Sequence, residues 1–191
     1  MFTLLFSSPL LTALGVVREK ESGSIYNIYS STVSRLEFLI GKLSPYVFIS
    51  TINAVLLWVL AILVFEVPFK GSFLLFFMSS MLFVLCNTGI GLLVSLLVRT
   101  QMAALIITIV YATVPGFMFS GMMVPVSSLT GGAQFQAHLF PGMYYTNILR
   151  GSFLKGVGFE VLWKEILALA VFAVLLSLIA LYLFEIGRAH V

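Results

Sequence analysis

The sequence predicts an all-α helical bundle embedded in a membrane, and three observations carry that expectation. Composition excludes an ordinary water-soluble globule, because 61% of the 191 residues are hydrophobic and 9% are charged, with a mean hydropathy of +1.14. Five apolar runs approach or exceed the roughly 20 residues that a helix needs to cross a hydrocarbon core. None shows the period-2 alternation of a membrane β-barrel, since Leu92-Leu93-Val94 and Leu105-Ile106-Ile107 would place apolar groups on both faces of a strand.

Residues 1–17 form the first span. They lack the cationic start of a signal peptide, so they read as the later part of a spanning helix, truncated at its start. Residues 18–43 are the only long polar stretch and hold seven of the 17 charged side chains: Arg18, Glu19, Lys20, Glu21, Arg35, Glu37 and Lys42. Within this stretch, Ile25, Ile28 and Tyr29 share one face of a short amphipathic helix. Ser34-Arg35-Leu36-Glu37 is a capping box, with Val33 and Phe38 spaced as a hydrophobic staple, so a second helix starts at residue 35. Ser44-Pro45 supplies another cap with proline at a first helical position, which sets the next span, 45–66, at an angle to that short helix. Such a segment serves either as a connector lying at the headgroups or as the place where a soluble partner docks.

Further spans are expected over 72–98, 103–124 and 163–185. The connection 125–162 is too apolar for a free loop, with Leu139, Phe140, Met143, Ile148, Leu149, Phe153 and Leu154 in it. It is expected to re-enter the outer leaflet as short helices broken at Gly131-Gly132 and Pro141-Gly142, with Arg150 and Lys155 reaching the headgroups. Cation placement puts Arg18, Lys20, Arg35, Lys42 and Arg99 on the cytoplasmic side and Lys70 outside, although Arg150, Lys155 and Lys164 count against that bias. Tyr46 and Tyr182 then mark the inner interface, and Tyr144, Tyr145 and Trp163 the outer one. Residues 1–185 make one membrane domain; the run ending at Val191 can be encoded by sequencing-adapter DNA, so 186–191 is expected to be a non-native tail.

Here a resemblance becomes specific. Val17-Arg18-Glu19-Lys20-Glu21, then Gly23-Ser24, then Ser34-Arg35-Leu36-Glu37-Phe38-Leu39-Ile40-Gly41-Lys42 resembles the charged region after the second span of ABC-2 type transporter permeases. Phe119-Ser120-Gly121, Pro125, Pro141, Tyr144, Arg150 and Gly151 resemble that family's pattern around the fifth span and the re-entrant segment before the last. The resemblance implies an exporter subunit of the bacterial inner membrane, multidrug-efflux-like, in which two permease copies pair and each rests on a cytoplasmic ABC ATPase. Residues 19–30 would be the coupling helix, with Ile25, Ile28 and Tyr29 filling an apolar groove of the ATPase and Arg18, Glu19, Lys20 and Glu21 fixing register at its rim. Pro141, Tyr144 and Arg150 would belong to an extracytoplasmic plug. ATP and Mg would sit on the partner, since the chain holds no GxxxxGK[ST] run and binds no cofactor of its own.

Candidate path or gate residues follow from the expense of polar groups inside a span. Asn53, Asn87, Thr88, Thr108 and Thr113 are expected to face other helices or a cavity, serving either interhelical hydrogen bonds or a translocation path. Ala112, Gly116 and Ser120 form a small-xxx-small row, and Pro115 beside Gly116 is a candidate kink. Phe117, Met118, Phe119, Met122 and Met123 crowd the outer half of the same span, either as lipid-facing bulk or as an adaptable surface for varied apolar ligands.

Several function classes are disfavoured. The net charge of +3 is spread over separate loops and does not read as a nucleic-acid surface, and Cys86 is the one cysteine, too few for a disulfide or a zinc site. His138 stands alone, and Glu66, Glu160 and Glu165 lie near span ends, so no catalytic or metal constellation appears. A proton-coupled carrier would place an ionisable residue mid-span, and these spans have none. The commitment is the permease subunit of an ATP-driven exporter of hydrophobic drugs or amphiphiles; an ABC permease exporting a polysaccharide or lipid-linked glycan, or a non-transporting scaffold recruiting a cytoplasmic protein through 18–43, are the alternatives.

Overall fold

A computed structural model describes residues 1–23 and 35–189, and side chains within these limits except Arg35, Leu36, Phe38, Leu39, Leu181 and those from Phe184 onward. Among the described residues seven α-helices follow one another: α1 (Phe2–Glu21), α2 (Arg35–Leu63), α3 (Phe73–Leu97), α4 (Gln101–Phe119), α5 (Gly131–His138), α6 (Pro141–Arg150) and α7 (Phe159–Ala189). No strand occurs among the described residues, and α1, α2, α3, α4 and α7 are each long and apolar enough to cross a bilayer. The helical membrane bundle expected from composition is the fold observed.

The centre of the bundle is α3, which is apolar on all sides and touches each of the other four long helices. An all-round apolar sequence permits this central place, and Leu74, Met78 and Met81 form the stripe of α3 that stays exposed. Its polar side chains are accommodated by bonding back to their own helix: Ser80, Asn87 and Thr88 donate to the carbonyls of Phe76, Phe83 and Val84 at 2.7, 2.8 and 2.8 Å. Helix α1 crosses α3 with backbone nearly touching backbone. A Cβ at Gly91 would stand 2.8 Å from Pro9 Cα and 2.9 Å from Thr12 Cβ, so only glycine fits there. On its other flank α1 packs against α4, whose inward row Ala104, Thr108, Ala112 and Gly116 is buried at a spacing of four.

Several boundaries differ from expectation for local reasons. Helix α1 runs four residues beyond 17, so Arg18 to Glu21 are its last turn and not the start of a separate coupling helix. Cations there complement the negative end of the helix dipole, and Gly23, at φ +74°, ends the turn with its N–H on the Lys20 carbonyl at 3.2 Å. Helix α2 passes straight through Ser44-Pro45, where a break and a new cap were expected. Pro45 has no N–H for the Gly41 carbonyl, and the Ser44 hydroxyl donates to that carbonyl instead at 3.3 Å. The Ser34 cap and the short helix carrying Ile25, Ile28 and Tyr29 lie outside the described residues. Helix α4 stops at Phe119, not 124, because Gly121 adopts φ +72°; Met122 and Met123 are therefore in the following loop.

The 125–162 connection folds as short helices, as expected: a 3-10 turn at Val126–Ser128, α5, α6 with Pro141 at its first positions, and a single π turn at Gly151–Lys155. Helix α6 is strongly one-sided and packs its apolar face between α3 and α7. Tyr145, expected at an aqueous interface, is instead 1% exposed, stacked on Phe83 at 4.2 Å between ring centroids with its hydroxyl 2.8 Å from Ser80 Oγ. Phe83 is ten residues into α3, about 15 Å below that helix's start at 1.5 Å per residue. That depth is what a re-entrant segment requires. Trp58, Phe69 and Phe153 link the α2–α3 turn to the π turn, with centroids 5.5 and 5.0 Å apart.

Candidate functional site

The pole expected to face the cytoplasm is built from the ends of four helices. Glu19, in the last turn of α1, pairs with Lys42 on α2. Lys20 donates to the Ser95 carbonyl in the last turn of α3, one of the end carbonyls that a helix leaves without an intrahelical partner. Glu21 accepts from the backbone N–H of Gln101 at 2.8 Å and from its side-chain amide, at the start of α4. Below these contacts Ala13 and Val17 pack with Val94, Val98 and Ala104. Three of the four charges expected at an ATPase rim are thus engaged within the chain, while Arg18 is exposed. These contacts also place residues 18–23, 42 and 98–101 at one end of the bundle, the grouping that cation placement predicted.

Candidate path residues are not brought together. Asn53 is half-buried and donates to Ser7 Oγ at 3.2 Å. Asn87, Thr88 and Thr108 are buried within the bundle, as expected, but Thr113 is exposed, because the inward face of α4 is the row containing Ala112 and Gly116. Gly116 lies against α1, where a Cβ would meet Leu5 Cδ2 at 2.7 Å, so the small-residue row is used inside the protomer. Pro115 is half-buried, Phe117 stacks on Phe2 at 4.5 Å, and Met118 and Met122 are exposed.

An apolar cavity lies apart from most of these residues. A groove of about 780 Å³ runs between α2, α3 and α7, lined by Leu43, Val47, Thr51, Phe77, Leu85, Ser177 and neighbours, and, of those candidates, by Thr88 alone. No charged side chain lines it, and the hydroxyls of Ser44, Thr51 and Thr88 are turned back onto carbonyls of their own helices. Its wall therefore offers an apolar molecule contact but a polar one few partners. Sequence reasoning missed it because each lining residue is unremarkable alone; the groove exists only where three helices diverge.

At the outer pole, Arg150 donates to the Met122 carbonyl at 3.0 Å, tying α6 to the loop after α4. Tyr144 donates to the His138 carbonyl at 3.0 Å, and burial, then the nearby Glu165 carboxylate, push its phenol above the ordinary tyrosine range. Pro141 is buried at the start of α6. His138 is exposed, and among the described residues no group of His, Cys, Asp and Glu could hold a metal.

The model of the family described as ABC-2 family transporter protein matches residues 1–182. The chain is 33% identical over 147 residues to a probable multidrug ABC transporter permease, YbhS, of Escherichia coli (strain K12), covering 77% of this chain and 39% of that protein. A second, YbhR of the same organism, is 29% identical over 162 residues, 85% of this chain and 44% of the relative. ABC transporter G family member 20 of Dictyostelium discoideum is 25% identical over 173 residues, 89% of this chain and 23% of that protein. The chain thus spans less than half the length of these relatives. No solved structure matches.

Proposed function

This chain belongs to the ABC-2 family of transporter proteins, and from that premise we propose that it is the permease subunit of an ATP-driven exporter that moves hydrophobic drugs or amphiphiles outward across a bacterial inner membrane. Residues 1–185 act as one membrane domain, two copies pair, and a separate ATP-binding subunit or domain supplies ATP and Mg and performs the hydrolysis. The observation that carries the reading is the inner pole. Its interhelical contacts gather the exit of α1, the entry of α2 and the α3–α4 turn at one end of the bundle, where a soluble motor would push. An apolar groove with no charged group and few hydrogen-bonding ones favours a hydrophobic cargo over a glycan.

Two measurements test it. Cells expressing the chain with its ATPase should extrude ethidium in a vanadate-sensitive, ATP-dependent manner; no difference from cells lacking the chain would refute export of such cargo. Tyr26→Cys should resist a membrane-impermeant maleimide in intact cells and react once cells are opened. Labelling from outside would put the coupling segment on the wrong side of the membrane.

A further inference from the structure

We propose that Glu19, Lys20 and Glu21 form a clasp through which movement of the following polar segment reaches α2, α3 and α4 together, an inference that rests on the exporter reading above. Three consecutive residues at the end of one helix each bind a different helix: Glu19 holds Lys42 of α2, Lys20 holds the Ser95 carbonyl of α3, and Glu21 holds Gln101 of α4. Signs match the helix ends they meet. The ammonium sits at the negative end of α3, and the carboxylate caps the positive start of α4 with its backbone N–H at 2.8 Å. The Ser95 hydroxyl is bonded separately, donating to the Leu92 carbonyl at 2.6 Å.

Mechanically, the arrangement has one input and three outputs. Gly23, with φ +74°, separates the clasp from the segment beyond it, so the last rigid point before that hinge is the turn carrying the three contacts. Force arriving through residues 22–34 meets α1 where it is bonded to its neighbours at one level. The apolar layer of Ala13, Val17, Val94 and Ala104 just beneath keeps the ends of α1, α3 and α4 from sliding independently. Sequence reasoning assigned these charges to the ATPase surface; the geometry makes them positioning residues that act through the helices they tie.

The test separates coupling from simple stability. In membranes containing the chain and its ATPase, Lys20→Met, which keeps the aliphatic stem, should lower ethidium efflux at least fivefold while ATP hydrolysis by the ATPase changes less than twofold. Lys20→Arg should restore more than half of the efflux. Efflux per ATP in Lys20→Met equal to wild type would overturn the clasp. Absence of ATP-driven efflux in the wild type would count against the exporter reading instead, and a second measurement then decides the clasp by itself. In the purified chain in detergent, Glu19→Lys and Lys42→Glu should each lower the melting temperature, and the double variant should recover at least half of the loss. A double variant no more stable than the worse single one would overturn the proposal.

Discussion

Removing the Tyr145 side chain should destabilise the protein more than any conservative change at the outer pole, and the structure allows the effect to be split into its parts. The ring is 1% exposed and stacked at 10° on Phe83, and its hydroxyl lies 2.8 Å from Ser80 Oγ. Tyr145→Phe removes only that hydrogen bond. Ser80 Oγ keeps its 2.7 Å bond to the Phe76 carbonyl, so no orphan is created. Side-chain hydrogen bonds in membrane proteins average about 0.6 kcal/mol, which for a chain of this length is a fall of about 1 to 3 °C in Tm. Tyr145→Ala leaves an aromatic-sized void between α6 and α3, and large-to-small aromatic changes cost about 3 to 5 kcal/mol, or about 6 to 20 °C. The assay is thermal unfolding of the purified chain in a mild detergent, followed by circular dichroism. Equal shifts for the two variants, or a Tyr145→Ala shift below about 3 °C, would show that α6 is not seated in the bundle as described and that the re-entrant reading is wrong.

Other outcomes follow from close approaches and burial. Gly91→Ala should cost about 1 to 3 kcal/mol through overpacking, because its new methyl meets the Pro9 backbone, which cannot give way; a melting temperature within a degree of wild type would contradict the crossing. Gly121→Val should strain a backbone at φ +72° and meet Val126 Cγ2 at 3.2 Å, so faster limited proteolysis near residues 120–128 is expected, and an unchanged digestion pattern would argue against that turn. Cys86 is fully buried and should react with a permeant maleimide only after denaturation; rapid labelling of the native protein would disprove the central placement of α3.

The parts of the fold legible in the sequence were those with a length scale attached. Apolar runs of about one bilayer thickness have only one economical conformation in lipid, and all five proved helical. Pro141-Gly142 announced a helix start equally well, since proline suits a first helical position. What misled was local chemistry with two solutions. Ser44-Pro45 reads as a cap, yet the same hydroxyl can repair the bond that proline removes and let the helix continue. Arg18 to Glu21 read as a polar surface, yet each of the last three has a partner far along the chain, and no spacing rule reveals Ser95, Gln101 or Lys42 as those partners. Tyr145 looked interfacial because tyrosine often is; its burial depends on a serine 65 residues away that can take its hydroxyl.

One feature bears on how the protein is made. Helix α1 is the least apolar of the five spans, yet it sits against α3 with glycine-close contact. As the nascent chain leaves the ribosome, α1 enters the insertion machinery well before α3 has been translated. Until then its Ser8 and Thr12, later shielded by neighbours, face either the translocon or lipid. Biogenesis of this permease therefore has a vulnerable interval, and quality-control proteases would find α1 exposed in any copy whose synthesis stalls before Gly91.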